Sequence, residues 1–324
     1  MADINQNRSW IRGVGAYTPE KILTNDDLAK TMDTNDEWIR TRTGILQRHV
    51  AADGEKTSDL AIKAAKRALE NAGLAGRDID LVILATTTAD HIFPATAVKV
   101  QKALGATGMA FDMAAVCSGF VFALGTADAY LKAGLARRAL VIGAETMTRL
   151  LDWSDRRTAV LFGDGAGAFV LEATANGSSE SGFLGHKLLT DGDGYDALYV
   201  NGGVSCGALG TIQMDGQTVF KRACRELSDI SAHLLEELSI SASHLDWVVP
   251  HQANKRILDM VLRRLSLPES KMIVTVDKHA NTSAASVPLA FAHGVESGQI
   301  QRGQLILTNA FAAGWAWGAN LFYF

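Results

Sequence analysis

Three side chains able to do chemistry stand far apart in this sequence: Cys117, His251 and Asn281. Cys117 lies in Asp112-Met-Ala-Ala-Val-Cys-Ser-Gly-Phe-Val-Phe-Ala-Leu-Gly-Thr-Ala-Asp-Ala-Tyr130, at the head of a predicted helix. From Ser118 to Leu131 the residues are small or apolar on almost every face, which predicts a buried helix rather than an amphipathic one. A helix start inside a protein presents free N–H groups and the positive end of the dipole, which should lower the pKa of a cysteine placed there. The chemical reading is a thiolate nucleophile at the floor of a pocket; the plainer one is a small buried cysteine used for packing. His251 follows a buried strand in Trp247-Val-Val-Pro-His-Gln-Ala-Asn-Lys-Arg256, and Asn281 lies in His279-Ala-Asn-Thr-Ser-Ala-Ala-Ser286.

An internal repeat brings the three together. Asp80-Leu-Val-Ile83 recurs as Asp246-Trp-Val-Val249, 166 residues on (246 minus 80), and Leu140-Val-Ile142 recurs as Leu305-Ile-Leu307, 165 on (305 minus 140). Asp112 precedes Cys117 as Asp277 precedes Thr282, again 165 apart (277 minus 112). Each half reads as helix, buried strand, helix, strand, small-residue turn, buried helix, strand. Continuous apolar strands alternating with helices imply α/β sheets covered on both faces. Residues 1–175 carry the nucleophile and 176–324 the histidine and asparagine, in one compact unit. The offsets set His251 at the position equivalent to Ala85 and Asn281 one residue from the equivalent of Cys117, so all three should converge at the seam between halves.

The composition supports a large soluble fold and narrows the partners. Of 324 residues, 48% are apolar and 20% charged, and the net charge of −4 gives no general attraction to nucleic acid or anionic membrane. Cys117, Cys206 and Cys224 are odd in number and lack metal-ligand spacing, which fits a reducing compartment with no metal. Neither a signal peptide nor a run of about 18 apolar residues is present, so a cytosolic location is expected.

Other motifs qualify the pattern. Trp38 and Arg42 lie four apart on one helix face, where an indole and a guanidinium could stack on a base and hold a phosphate, or simply pack together at the surface. Phe93, in Thr86-Thr-Thr-Ala-Asp-His-Ile-Phe-Pro94, stands outside any core pattern and suggests a contact with a partner or ligand. Glu145 to Arg157 reads as a loop with Trp153, Arg156 and Arg157. The glycines of Leu161-Phe-Gly-Asp-Gly-Ala-Gly-Ala168 precede a strand, where a dinucleotide fingerprint requires a helix, so they indicate close strand packing instead. Asp191-Gly-Asp-Gly194 lacks the glutamate of a calcium loop and reads as a solvated turn, within a Gly- and Ser-rich crossing from Ser178 to Gly210.

The segments Asp36-Glu-Trp-Ile-Arg-Thr-Arg-Thr-Gly44, Val116-Cys-Ser-Gly-Phe120, Phe162-Gly-Asp-Gly-Ala-Gly167, Val249-Pro-His-Gln-Ala-Asn254 and Asn281-Thr-Ser-Ala-Ala-Ser286 resemble those of bacterial beta-ketoacyl-[acyl-carrier-protein] synthase III, in order, from about Trp10 to Phe324. The resemblance implies a thiolase-like fold, five αβαβα layers from two pseudo-symmetric halves, and a homodimer. It also implies transfer of a short acyl group from acyl-CoA to Cys117 and decarboxylative condensation with malonyl-acyl-carrier protein, initiating fatty acid synthesis without a cofactor. Elongating relatives use two histidines; His251 with Asn281 is the initiating pattern. Alternatives are a specialised paralogue using other acyl groups or acceptors in secondary metabolism, a cysteine thioesterase, and a weakly active module binding acyl-CoA or carrier protein.

By the same matching, the oxyanion N–H groups come from Cys117 and Ala313, and coenzyme A meets Trp38, Arg42, Arg156 and Asn254. An acidic carrier protein would dock on Gln252, Ala253, Asn254, Lys255 and Arg256 with Lys221, Arg263 and Arg264; a solvated basic helix face is the plainer reading. Phe93 matches a loop reaching the partner subunit's acyl pocket. Phe311-Ala-Ala-Gly-Trp-Ala-Trp-Gly318 departs from the family's usual glycine run, and Ala280 replaces a usual glycine before Asn281. If Ala313 needs a positive φ, alanine costs about 1 kcal/mol or more there.

Overall fold

Strands with every residue buried, such as Leu81–Ala85 and Leu305–Ala312, need cover on both faces, and the chain supplies it twice. The computed structural model describes residues 7–175 and 182–324, so the extreme N-terminus and the point 175/176 lie at or beyond its edges. The first stretch comprises β1 (Asn7–Tyr17), β2 (Lys21–Thr24), α1 (Asn25–Ala29), α2 (Asp36–Thr43), β3 (Gln47–Val50), α3 (Thr57–Ala72), β4 (Leu81–Ala85), α4 (Thr96–Leu104), β5 (Met109–Met113), α5 (Gly119–Lys132), β6 (Arg138–Thr146), α6 (Arg156–Ala159) and β7 (Asp164–Ala175). The second comprises β8 (Gly182–Thr190), β9 (Leu198–Val200), β10 (Ile212–Met214), α7 (Gly216–Glu237), β11 (Trp247–Pro250), α8 (Lys255–Leu265), α9 (Val276–His279), α10 (Ser286–Glu296), β12 (Leu305–Ala312) and β13 (Ala316–Tyr323).

One sheet has the order β1-β7-β6-β4-β5, with β4 parallel to both β5 and β6. The other, β8-β13-β12-β11, repeats the first four places of that order. The counterpart of β5 is not a strand; it shrinks to a single bridge between Val248 and Met272. The side chain of Gln252 replaces the missing ladder. Its amide donates to Pro250 O (2.9 Å) and Ile273 O (3.1 Å), and its carbonyl accepts from Thr275 N (2.8 Å) and Val276 N (3.1 Å).

Helices α3 and α4 cover the outer face of the first sheet, α7 and α8 that of the second, and α5 and α10 lie between the sheets. That central layer is sealed by phenylalanines: Phe120 meets Phe169 edge-on at 4.9 Å, Phe169 meets Phe291 at 4.8 Å, and Phe291 meets Phe322 at 5.9 Å. The glycine motif lies inside β7 rather than before it. A Cβ at Gly167 would sit 2.6 Å from Pro288 of α10, so glycine is what lets helix and strand touch. One sequence expectation changes, that of a solvated turn at Asp191; of the Gly- and Ser-rich crossing, residues 178–181 lie outside the described residues. The Ser178–Gly210 stretch contains β8 and β9, and Gly194 is packed under the Trp315 ring, while Asp191 exchanges backbone hydrogen bonds with Trp315 at 2.9 and 2.6 Å. The Asp191 turn is therefore docked on the β12–β13 hairpin, not free in solvent. No helix among the described residues is long and apolar enough to cross a membrane.

Candidate active site

Cys117 sits in a 3-10 turn, Val116–Ser118, that feeds α5 between the two sheets. Ser118 Oγ donates to Ala316 O at 2.8 Å and so ties this turn to the β12–β13 hairpin. Val116, a β-branched residue, is held at φ 48, a costly conformation immediately before the thiol. Gly119 lies against Ala85 at the end of β4, and Gly143 of β6 admits the 283–285 turn, whose Ala284 O would be 2.2 Å from a Cβ there. Small residues thus let three segments reach the thiol from both halves of the chain.

One cleft is lined by Cys117, His251 and Asn281 together. His251 follows β11, its N–H bound to Asn309 O at 2.8 Å, and its Nδ1 is buried without a partner. Burial pushes its pKa down to about 3, so the imidazole is neutral at physiological pH. Asn281 Oδ1 accepts from Ser283 N at 2.9 Å, which fixes the amide and leaves Nδ2 as the donor for the cleft. For Cys117 the expectation of a lowered pKa is corrected. Burial pushes the thiol up to about 12, the Glu145 charge adds to this, and the hydrogen bond with Ser283 opposes it. The helix start is real, but desolvation of the anion outweighs it in the resting protein.

Glu145 was missed as a site residue. It is not in a loop but at the end of β6, with no exposure, behind Cys117. The signal available was a lone carboxylate closing the apolar run Leu140-Val-Ile-Gly-Ala-Glu145, opposite three threonines at 86–88.

Known proteins resemble this chain over nearly its whole length. Models of 3-oxoacyl-[acyl-carrier-protein (ACP)] synthase III match residues 111–192, and of its C-terminal part residues 235–324. A beta-ketoacyl-[acyl-carrier-protein] synthase III of Hyphomonas neptunium is 55% identical over 97% of this chain and 98% of its own length. The chain belongs to the synthase III family. The crystal structure of the 3-oxoacyl-(acyl carrier protein) synthase III of Pseudomonas aeruginosa is 41% identical, covers 98% of each chain and superposes with a TM-score of 0.92. A priming beta-ketosynthase from the R1128 polyketide biosynthetic pathway is 33% identical, with a TM-score of 0.91 over 98% of this chain and 96% of its own. The fold is accordingly the thiolase-like fold, and the family's activity is that of a condensing acyltransferase initiating fatty acid synthesis.

In this synthase III chain the remaining expected site residues fall into distinct places. Trp38, half-buried, is flanked by two guanidiniums, Arg42 at 4.8 Å and Arg156 at 5.1 Å from its ring centre, and none of the three lines the cleft that holds Cys117. Asn254 lines the cleft and caps α8 by accepting Arg256 N at 2.9 Å, while its Nδ2 donates to Arg42 O at 3.1 Å. Ala313 lies in the hairpin beside Cys117, lining a second apolar cavity with Met147, Leu150 and Ile212. It has no positive φ; Ala280 does, at 57°, so the strain expected at Ala313 is found before Asn281 instead. Phe93 lines neither cavity of this chain and is 84% exposed beside Ile92 at 80%.

The docking patch needs one correction. Gln252 is 1% exposed and all four of its amide bonds are internal, so it offers nothing to a partner. Ala253 lines the cleft, Lys255 pairs with Asp259, and Arg264 reaches Asp229 at 3.3 Å. Arg256, whose guanidinium lies 4.9 Å over Phe220, remains exposed with Arg263 and Lys221. Phe220, Met214 and Val219 of the cleft wall were not anticipated; a helix following a short strand pair gave no sign of facing the thiol.

Proposed function

We propose that this chain takes a short acyl group from coenzyme A onto Cys117 and condenses it with the malonyl group of acyl-carrier protein, releasing carbon dioxide and a beta-ketoacyl-carrier protein. The observation that carries the reading is the fixed Asn281 amide, which offers Nδ2 beside neutral His251 on the cleft that holds Cys117. Two neutral donors suit a thioester oxygen that becomes an enolate when carboxylate is lost. Neither would compete for a proton during that step. The thiol attacks the acyl-CoA carbonyl first, and the acyl-enzyme separates this transfer from the condensation. The N–H groups of Cys117 and Ala313 hold the tetrahedral oxyanion, and the acyl chain enters the cavity beside Met147 and Leu150.

Trp38 with Arg42 and Arg156 receives the adenine and phosphates, and Asn254 the pantetheine. Arg256, Arg263 and Lys221 receive the acidic carrier protein. The exposed Ile92 and Phe93 belong to the face on which a second copy would pack, making a homodimer in the cytoplasm. Intact-protein mass after incubation with a panel of acyl-CoAs tests the proposal, with Cys117→Ala as control and malonyl-carrier protein added second. A Cys117-dependent adduct that the malonyl donor converts to beta-ketoacyl product supports it. Adduct hydrolysed without the donor would indicate a thioesterase, and coenzyme A binding without adduct a binding module.

A further inference from the structure

Trp38 stands between guanidiniums from two helices far apart in the chain, Arg42 of its own α2 and Arg156 of α6. The spacing of those helices sets the width of the slot around the indole. One buried group meets both of them: Arg48 of β3, which has no exposure. All four terminal N–H groups of its guanidinium are used. Nη1 donates to Leu23 O at 3.1 Å and to Asn25 Oδ1 at 3.0 Å; Nη2 donates to Asn25 Oδ1 at 3.0 Å and to Val160 O at 3.0 Å. Val160 is the C-cap of α6. Asn25, itself buried, passes the contact on. Its Nδ2 donates to Asp36 Oδ1 in the first turn of α2 at 2.8 Å, and to Ile45 O just past the end of that helix at 2.8 Å. One side chain thus holds the end of α6 directly and both ends of α2 through a single amide. Arg156 also pairs with Asp33 Oδ2 at 3.1 Å, but that carboxylate is fully exposed, where such pairs hold little.

The acceptors are two backbone carbonyls and a side-chain amide, all uncharged. Burial pulls the Arg48 pKa down to about 10, which leaves it charged at neutral pH. A buried cation without a carboxylate beside it is costly, and an apolar side chain would fill the same space at less cost. What arginine supplies is a planar fork that reaches three segments at fixed angles; lysine offers its donors from one point. We infer that Arg48 is a positioning residue for the coenzyme A donor, setting the spacing of α2 and α6 so that Trp38, Arg42 and Arg156 form one slot for its nucleotide end. This rests on the reading of those three residues as the coenzyme A site. Arg48 lines neither cavity at Cys117, so its effect should follow the nucleotide and not the thioester.

Val160 also leads to the condensation donor. Leu161 O accepts from Asn281 N at 2.9 Å, and Gly163 N donates to Asn281 O at 3.0 Å. A Cβ at Gly163 would lie 3.1 Å from Arg48 Cβ, so this stretch runs directly against the arginine. A shift of residues 160–163 would therefore reach Asn281 as well as the slot. Acylation of Cys117 precedes condensation and makes no use of the Asn281 amide, so it reports the slot without that second effect.

Two variants of the full chain are compared with the native protein: Arg48→Lys, which keeps the charge and loses the fork, and Asp36→Ala, which cuts the link from Asn25 to α2 at a half-buried position. Cys117 acylation is followed by mass with whichever of acetyl- or butyryl-CoA labels it, and with the pantetheine thioester of the same acyl group, which lacks the nucleotide. At low donor concentration the rate from acyl-CoA should fall about tenfold in Arg48→Lys and about threefold in Asp36→Ala, and recover at saturating donor. The rate from the pantetheine thioester should be unchanged in both. Equal losses with the two donors, or no loss with acyl-CoA, overturn the inference; if Arg48→Lys does not fold, Asp36→Ala decides alone. A native protein that acylates equally fast from both donors refutes instead the coenzyme A reading of Trp38, Arg42 and Arg156. If the native protein forms no adduct, acyl transfer itself is refuted, and calorimetric affinities for coenzyme A against pantetheine decide the role of Arg48 by the same ratios.

Discussion

Replacing Gln252 with alanine removes an amide that holds four buried backbone groups: Pro250 O, Ile273 O, Thr275 N and Val276 N. Each buried group left without a partner costs about 1–3 kcal/mol. Water admitted to the space of the lost amide would satisfy about half of them, so the expected destabilisation is about 4 kcal/mol, with about 2 as the lower bound. The change also reaches the chemistry. Pro250 precedes His251, and the Thr275–Val276 segment leads through α9 to Asn281, so the amide is what ties the two donors to each other. Urea unfolding of Gln252→Ala and the parent at one protein concentration gives the stability, and turnover below the transition gives the activity. A docking residue would behave differently: unchanged unfolding, with weaker carrier-protein binding alone. That outcome would refute the reasoning.

The remaining predictions concern charge and protonation. Asn281→Asp keeps the acceptor for Ser283 N but replaces the Nδ2 donor with an oxygen, so condensation should fall about 10²–10³-fold while Cys117 still acylates, measured as adduct against product. His251 and His279 are both pushed down to about 3 by burial, from an unfolded value of about 6.5. Their folded pKa is depressed, so the stability they lend is complete above about 6.5 and is lost as pH falls below it; two protons give a slope of about 3 kcal/mol per pH unit below about pH 5.5. Urea midpoints that stay flat from pH 6.5 to 5 would contradict this, and His279→Gln should halve the slope. Arg256→Glu should raise KM for malonyl-carrier protein about tenfold at low salt, with the effect shrinking as salt is added and acylation by acyl-CoA unchanged.

What was legible in the sequence was what periodicity and repetition encode. The offset between Asp80-Leu-Val-Ile83 and Asp246-Trp-Val-Val249 foretold that Cys117, His251 and Asn281 would share a cleft, and the central position of α5 followed from its lack of a polar face. What was not legible depended on side chains acting as backbone. Gln252 looked like part of a polar surface run, yet it substitutes for a strand, because a side-chain amide carries the same donor and acceptor as a peptide group. Similarly, the dipole argument for Cys117 was sound locally, but its outcome depended on burial and on Glu145, which a sequence does not place. The site of backbone strain also moved, from Ala313 to Ala280, since a glycine's usual position says where freedom is common and not which φ this chain adopts.

The central layer has a consequence for synthesis on the ribosome. Helix α5 packs on the first sheet through one side and on β8, β13 and α10 through the other, and those elements follow it in the chain. From Lys132 to the end of the chain is 192 residues (324 minus 132). At about 5–20 residues per second this is on the order of 10–40 s. Until β13 is made, Phe120, Val121 and Leu124 have the first sheet on one flank and an incomplete cover on the other. The nucleophile's helix is therefore made well before its cover is complete, and a nascent chain halted near residue 175 would leave bare the flank that β8, α10 and β13 cover in the finished fold. Apolar helix surface exposed over that interval is the kind that chaperones shield.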